Sequence, residues 1–567
     1  MHVTTTTRRT GDREYQATLL RRSYREDGKV KKQTLANLSH LPPEIIELVR
    51  GALRGTQFVA AGEGFEIERS VAAGHVRAVL GMARRLGLAR LVDPRPSRER
   101  DLCLAMICQR VIAPASKLES ARALGRSILP EELGVTGASE DDLYAALDWL
   151  VDRQARIEDR LAKRHLGDGE LVLYDVSSSY FEGQSCPLAR LGYSRDGKRG
   201  TPQIIYGLLC DKPGRPIAVE VFSGQIHDDQ TLGAQIAKLK TRFGLARVVV
   251  VIDRGMVTQA NIDLLAATDG VGWITALKAP QIKRLLVSGA LQLSLFDEQD
   301  LAEITSPDYP GERLVVCRNP LVGAQRTHKR EALLAATETE LQLIADRVAR
   351  GTLVGADAIG LAVGPAIKRY RVRKHFEIQI TDTSFTFTRK TEQIAAERSL
   401  DGFYVIRTSE PATELARDDV VRAYKGLEQA ERAFKTFKGP ELAIRPIHHH
   451  LETRVRAHVL LCMLAYYLAW HLRGAWAPLL FKDERPPTAA DPVAKATRSR
   501  AAQQKAQTKR TATGETCHSF KSLLDELATQ TRNTIRIPAS TATFDKLTQP
   551  TPLQVHAHDL AEHAPIT

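Results

Sequence analysis

The chain has 567 residues, 43% of them hydrophobic and 26% charged, so it is mostly globular and long enough for several domains. Lys and Arg outnumber Asp and Glu by 80 to 67, and the pI of about 9.4 predicts an anionic partner; nucleic acid comes ahead of membrane because no lipid-binding helix or anchor motif stands out. The seven cysteines are scattered without a CxxC, which supports neither a zinc knuckle nor a disulfide framework and predicts reduced thiols in a cytosolic protein.

Met1 to Thr10 is polar and lacks the apolar core of a signal peptide. Up to about Leu41 the chain reads as extended. Tyr15 to Tyr24 and Val30 to Leu38 form strands around a turn at Glu26-Asp27-Gly28-Lys29. Its cations (Arg21, Arg22, Arg25, Lys29, Lys31, Lys32) suit either a grip on phosphate or a solvated hairpin. From Ser70 to His165 apolar residues recur at three and four, as in Leu102-Leu104-Ile107-Val111 and Leu143-Leu147-Leu150, which predicts helices. Ser139-Glu140-Asp141-Asp142 is a helix start.

From Glu170 the period shortens. Leu171 to Val176, Gln203 to Cys210 and Pro216 to Phe222 read as strands. A helix from Gln230 to Phe243, a strand from Arg247 to Ile252, a helix from Thr258 to Ala267 and a strand from Gly272 to Leu277 follow, a mixed α/β pattern. Residues 278–403 read as an inserted α+β subdomain, with a helix from Lys329 to Arg350 and strands at Lys374 to Thr381, Ser384 to Thr388 and Gly402 to Arg407. A long helix from Asp418 to Lys438 precedes the apolar stretch Val459 to Leu472, too short to span a bilayer and better read as a buried helix of a soluble protein. Residues 482–514, with Pro486-Pro487, have a linker composition, and a helix from Ser519 to Thr529 leads to a short strand and a loose tail.

The expected divisions are an N-terminal β-hairpin region (1–62), a helical region and candidate DNA-binding domain (63–168), the first part of the core (169–277), the insertion (278–403), the second part of the core (404–480), a basic linker (481–515) and a C-terminal helix and tail (516–567).

Three acids stand out. Asp175 and Asp253 each end an apolar run, and an acid at the end of a buried strand is costly unless something compensates its charge, most commonly a divalent metal. Either could instead cap a turn. On the helix, Glu431 shares a face with Tyr424, Leu427 and Lys438, at roughly 100° per residue, while Glu428 lies about 60° round. Glu431 is the preferred third acid and Glu428 the weaker choice; an ordinary surface pair of Glu431 with Lys435 remains open. His448-His449-His450 follows Pro446 in a turn and reads as a DNA- or water-facing loop more readily than a metal site. Ser177 to Ser179 has no obvious His partner for a nucleophile.

Together these segments resemble DDE transposases of bacterial insertion sequences, of the insertion-sequence-four-type superfamily. The resemblance rests on Leu173-Tyr174-Asp175-Val176-Ser177, Ile252-Asp253-Arg254-Gly255, the spacing of Tyr424, Glu431 and Lys438, and Ile444-Arg445-Pro446-Ile447, and it runs from about residue 15 to 480. Leu427 stands where that family carries an arginine; Arg422, Lys425 or Arg432 are candidates to replace its DNA contact. The resemblance implies a multidomain α/β fold whose RNase H-like mixed-sheet core carries a β-rich α+β insertion, preceded by the N-terminal β-hairpin and helical regions. It implies two Mg²⁺ ions (Mn²⁺ as a substitute) shared by the catalytic and metal-binding residues Asp175, Asp253 and Glu431, with Tyr424, Lys438, Lys435, Arg432 and Lys425 on DNA. The implied reaction is strand cleavage at element ends and transfer to target DNA, by a homodimer on double-stranded DNA in the cytoplasm, associated with the nucleoid. A transposase-derived DNA-binding protein without catalysis and an RNase H-like nuclease without strand transfer are the alternatives.

Overall fold

The computed structural model describes residues 1–56, 58, 65–485, 491–494, 496–537 and 542–566; Pro486-Pro487 and the expected boundary at residues 62 and 63 lie outside the described residues. The chain divides into two compact units, Met1–Val71 with Thr531–Gln549, and Ala72–Gln530 with Pro550–Thr567.

In the first unit, β1 (His2–Thr10), β2 (Arg13–Glu26) and β3 (Lys29–Asn37) form an antiparallel sheet in that order. Asp27 and Gly28 take φ of 53° and 74°, the left-handed pair that lets a two-residue turn follow the twist of the strands. After α1 (Pro43–Leu53), β4 (Glu66–Ala72) pairs with strands from the far end of the chain, β15 (Thr531–Arg536) and β16 (Thr543–Leu547), in the order β16-β15-β4.

The second unit opens with α2 (Gly74–Arg85), α3 (Leu88–Val92), α4 (Arg98–Ile112), α5 (Lys117–Leu124), α6 (Leu129–Glu132), α7 (Glu140–Val151) and α8 (Gln154–His165). Residues 102–112 of α4 are all buried, and α7 starts on a reciprocal capping box between Ser139 and Asp142.

An eight-stranded mixed sheet follows. Its strands are β5 (Leu171–Tyr180), β6 (Gln203–Asp211), β7 (Pro216–Ser223), β8 (Val248–Ile252), β9 (Val271–Ala276), β10 (Leu301–Ile304), β11 (Arg313–Arg318) and β14 (Phe403–Thr408), in the order β10-β11-β14-β9-β8-β5-β6-β7. The β5–β8 and β8–β9 pairs are parallel; β5–β6, β6–β7 and β9–β14 are antiparallel. Helices α9 (Leu232–Ala237) and α10 (Gln259–Ala267) help cover one face, where Tyr174, Val176, Val250, Ile252, Leu232 and Leu265 share a core. α11 (Ala279–Val287) packs near β14.

Four expectations are corrected here. β5 runs on to Tyr180, so Asp175 sits in mid-strand instead of at a strand end; Ser177, Ser178 and Ser179 continue the ladder against Tyr206, Ile205 and Ile204. The insertion is not β-rich as a separate body, because β10, β11 and β14 extend the main sheet. What has its own core is α12 (Pro320–Ala349), α13 (Ala356–Arg369), α14 (Thr391–Arg398) and the short hairpin of β12 (Phe376–Ile380) and β13 (Phe385–Arg389). The long helix is broken at Gly426 into α15 (Arg417–Lys425) and α16 (Leu427–Lys438). The linker and tail contain structure: α18 (Arg500–Thr508) buries Ala502 and Lys505, whose ammonium donates to the carbonyls of Ala477 (3.1 Å) and Leu480 (3.2 Å). After α19 (Phe520–Ala528), α20 (Pro552–His563) buries Ala557, whose carbonyl accepts from the Trp476 indole at 2.9 Å. Composition missed this because a polar sequence hid a few well-used anchors.

α17 (Glu452–Ala475) is long and apolar enough to cross a membrane but is buried inside the protein. All seven cysteines are free and buried.

Gly207 of β6 lies where a Cβ would fall on the fully buried Tyr174 ring beside Asp175. Gly207→Ala is expected to lower stability by about 1–3 kcal/mol through overpacking, read from the urea midpoint; an unchanged midpoint would show that the ring can give way.

Candidate active site

The parallel register of β5 and β8 pairs Tyr174 with Ile252 and so sets Asp175 beside Asp253 on neighbouring strands. Side chains alternate across a strand, so Asp175 points away from the core that holds Tyr174 and Val176. That opposite face is covered by α16. Phe434 and Phe437 fix the helix, their rings 5.7 and 6.5 Å from Tyr206 of β6, with Leu427, Ala430 and Ala433 buried on the same stripe. Glu431 lies at the edge of that stripe.

Asp175, Asp253 and Glu431 consequently line one cavity of about 1440 Å³, together with Tyr424, Lys425, Glu428, Lys435 and Lys438. The electrostatics agree with the geometry. Burial raises the Asp175 carboxyl from its ordinary value to about 7; a bond from its own neighbour, Val176 N–H (2.8 Å), opposes this, and the charges of Asp253 and Glu431 add to it. Tyr424 is pushed well up by burial first, then by Asp253, with Glu431 and Asp175 contributing and Arg254 opposing. Glu431 is among the charges that raise both groups, and Glu428 lines the same cavity.

The capping reading of Asp253 also holds. Its Oδ2 accepts from Gly255 N–H at 3.0 Å and starts a short turn, Arg254–Met256. Glu431 meets Lys435 at 3.5 Å, the ordinary i, i+4 pair, and its side chain remains 58% exposed, so this pairing is weak. Among the described residues no three His, Cys, Asp or Glu side chains stand close enough to ligate one ion as placed. The donor chemistry nevertheless fits a hard divalent cation: carboxylate oxygens share a cavity, and one of them is pushed toward its protonated form by burial and like charge.

The predicted DNA-binding residues fare unevenly. Arg432 and Lys435 are exposed, in weak helix pairs with Glu428 (3.5 Å) and Glu431. Lys438 is largely buried and bound to Asp196 at 3.0 Å, which also holds Arg445 at 2.5 Å. Lys425 donates to the carbonyls of Val493 and Ala494, both at 3.0 Å, and of Pro492, and so pins that segment at the cavity wall. Leu427 is buried, and Arg422 faces Asp419 at 2.9 Å.

Sequence reading missed three residues. Asp196 carried no motif. Arg195 lines the cavity and forks onto Asp228. Arg326 of α12 also lines the cavity, is exposed and has no hydrogen bond or ion pair among the described residues. A signal for it existed: Asn319 caps Val322 N–H at 3.1 Å with Pro320 following, which starts the helix nine residues earlier than its apolar pattern.

The family model described as "IS1634 family transposase, N-terminal domain" matches residues 3–62. That match supports a transposase function, of the insertion-sequence kind; it covers the N-terminal strands and leaves the mixed sheet and its cavity unmatched. No curated protein matches the sequence. Among solved structures, the chain is similar to one described as a cryo-EM structure of piggyBac transposase synaptic complex with hairpin DNA. Identity is 8%, coverage is 80% of this chain and 76% of that chain, and the TM-score is 0.35, too low for the likeness to carry any argument about this chain.

Asp175 yields a pH test. Its folded value of about 7 exceeds the ordinary 3.8, so the folded protein holds a proton that the unfolded chain has released. Stability from this group is present at low pH and is lost as pH rises toward and through about 7. In metal-free protein, Asp175→Asn should therefore raise the melting temperature near pH 8, with a smaller gain near pH 5. A gain independent of pH would remove the buried charge as its cause.

Proposed function

We propose that the chain is a DDE-type insertion-sequence transposase with an RNase H-like core, which cuts DNA at element ends and joins the freed 3′-OH to target DNA. One observation carries the reading: Asp175, Asp253 and Glu431, from two adjacent parallel strands and a helix remote in sequence, line one cavity, and the other two acids raise the pKa of Asp175. The strand order β7-β6-β5-β8-β9, with the first acid in the central strand and the second just past its parallel neighbour, supports the core assignment. The N-terminal family match supports the transposase assignment independently of the cavity.

In this reading the three carboxylates hold Mg²⁺, or Mn²⁺ in its place, as a pair of ions. Bound there, the metal supplies Lewis acidity that activates the attacking hydroxyl and stabilises the leaving 3′ oxygen. Asp175 must first give up its proton, which ties activity to pH near neutrality. Tyr424, half-enclosed by the acids, packs against the DNA end, while Arg432, Lys435 and Arg326 take phosphates at the mouth. Lys438 and Lys425 are already engaged with Asp196 and with backbone carbonyls; they shape the wall and reach DNA only by exchanging those partners. Two ends must meet for transposition, so the working form is a homodimer on double-stranded DNA, acting at the nucleoid in the cytoplasm.

Asp175→Asn, Asp253→Asn and Glu431→Gln should each reduce Mg²⁺-dependent cleavage of labelled element-end duplexes by about 100-fold or more, because the metal supplies several kcal/mol. Duplex binding should survive in all three, and Glu428→Gln should keep cleavage. Full cleavage by Asp175→Asn rejects the assignment; cleavage without joined product by the wild type reduces it to a nuclease.

Arg326→Ala should leave the melting temperature unchanged and lower the slope of log affinity against log salt by about one. A wild-type slope would place Arg326 off the DNA path.

A further inference from the structure

A second cavity, of about 520 Å³, is walled by α4, α5, α7, α17 and the loop that carries the three histidines. Lys117 projects from the first turn of α5 into this wall and is only 4% exposed. Its ammonium makes no hydrogen bond or ion pair among the described residues, and no carboxylate is among the residues that line the cavity. A buried cation without a counter-charge is unfavourable, and proteins that keep one normally pair it. Around it stand more cations. Arg110 donates to the carbonyls of Ala115 (3.1 Å) and Leu442 (3.3 Å), and Arg454 pairs with Asp148 at 2.9 Å. Neutral carbonyls leave the charge of Arg110 uncancelled.

His449 sits among these groups, edge-on to Tyr144 (6.0 Å) and close to His458 (5.1 Å). Burial lowers Lys117 to about 7, with Arg110 adding to the effect. Burial also lowers His449 to about 3, and Lys117, Arg110 and Arg454 push the same way. The cavity is lined by cations and histidines with no carboxylate among them, and Asp148 is already engaged by Arg454.

We propose that this cavity binds a phosphate group, with Lys117 as its counter-ion and Arg110, Arg454 and His449 as surrounding donors. A tetrahedral phosphate accepts from several directions at once and matches donors converging from four elements better than a planar carboxylate does. The N-terminus of α5, capped by Ser116, adds its partial positive charge on the same side. The phosphate belongs either to a small free phosphate or to the backbone of bound DNA. The residues of this site are separate from the three acids; a free phosphate there does not depend on the transposase reading, whereas a DNA phosphate rests on it.

The test uses the full chain and two variants. Lys117→Met removes the unpaired charge and should not lower the melting temperature. Ser116→Asp puts a carboxylate beside Lys117 while remaining a good helix cap, so it keeps the protein folded should the first variant fail. Thermal melts with inorganic phosphate, against chloride at matched ionic strength, and duplex binding over a range of salt are measured for all three proteins. Phosphate that raises the melting temperature of the wild type by a few degrees but of neither variant establishes the site with a free phosphate. Indifference to phosphate, with both variants lowering the salt slope of duplex binding by about one, establishes it with a DNA phosphate. The proposal is overturned if phosphate moves all three proteins alike, or if neither measurement separates the variants from the wild type.

Discussion

Asp175 sits halfway along β5, paired with Leu208 of β6 and one residue past the last β8 pair, Tyr174 with Ile252, so its backbone is held in place beside the cavity. That restraint organises the surrounding structure. The sheet fixes the acid, half-buried, in the cavity wall, and that burial makes its charge costly. Asp253 follows one residue past the register partner of Tyr174, and Glu431 arrives on a helix laid over the same face. Each added acid raises the cost further. Such a concentration of like charge is poor design for stability alone and suits a site that receives cations, which is why the carboxylates weigh more together than their motifs do singly.

The helix that brings Glu431 is held by apolar contact. Phe434 and Phe437 lock α16 onto Tyr206, and Glu431, Lys435 and Lys438 of the same helix line the cavity. The break at Gly426 ends α15 at Lys425, which holds the 492–494 backbone against the cavity wall. Asp196 does the comparable task on the other side, tying Lys438 to Arg445. The cavity is thus framed by polar clamps at its edges and by aromatic packing beneath.

Apolar period and turn chemistry made much of the fold legible. The N-terminal hairpin, the helices up to His165 and the strands β5 to β9 follow from local patterns, as does the Ser139 cap. Long-range partnership was not legible. Nothing in Thr531 to Arg536 says that it pairs with β4, and nothing in β10, β11 or β14 says that they widen the main sheet instead of forming a separate one. The linker composition of 481–515 concealed Lys505, because a buried lysine that caps carbonyls reads the same as a solvated one. At the site, the acids could be picked out by their place after or within apolar runs. The engagement of Lys425 and Lys438 could not, since their partners, the carbonyls of 492–494 and Asp196, are fixed only by tertiary packing.

Residues 254–430 separate the second acid from the third, and they include three strands of the main sheet, a fourth at its edge and a helical body with its own core. Asp175 and Asp253 come together through neighbouring strands made early in synthesis. Glu431 can join them only after that whole stretch has been made, a contact of high sequence separation. A ribosome-bound or truncated chain ending before α16 would carry two acids and no third. Chain connectivity therefore acts as a timer, leaving the cavity incomplete until nearly all of the protein has emerged.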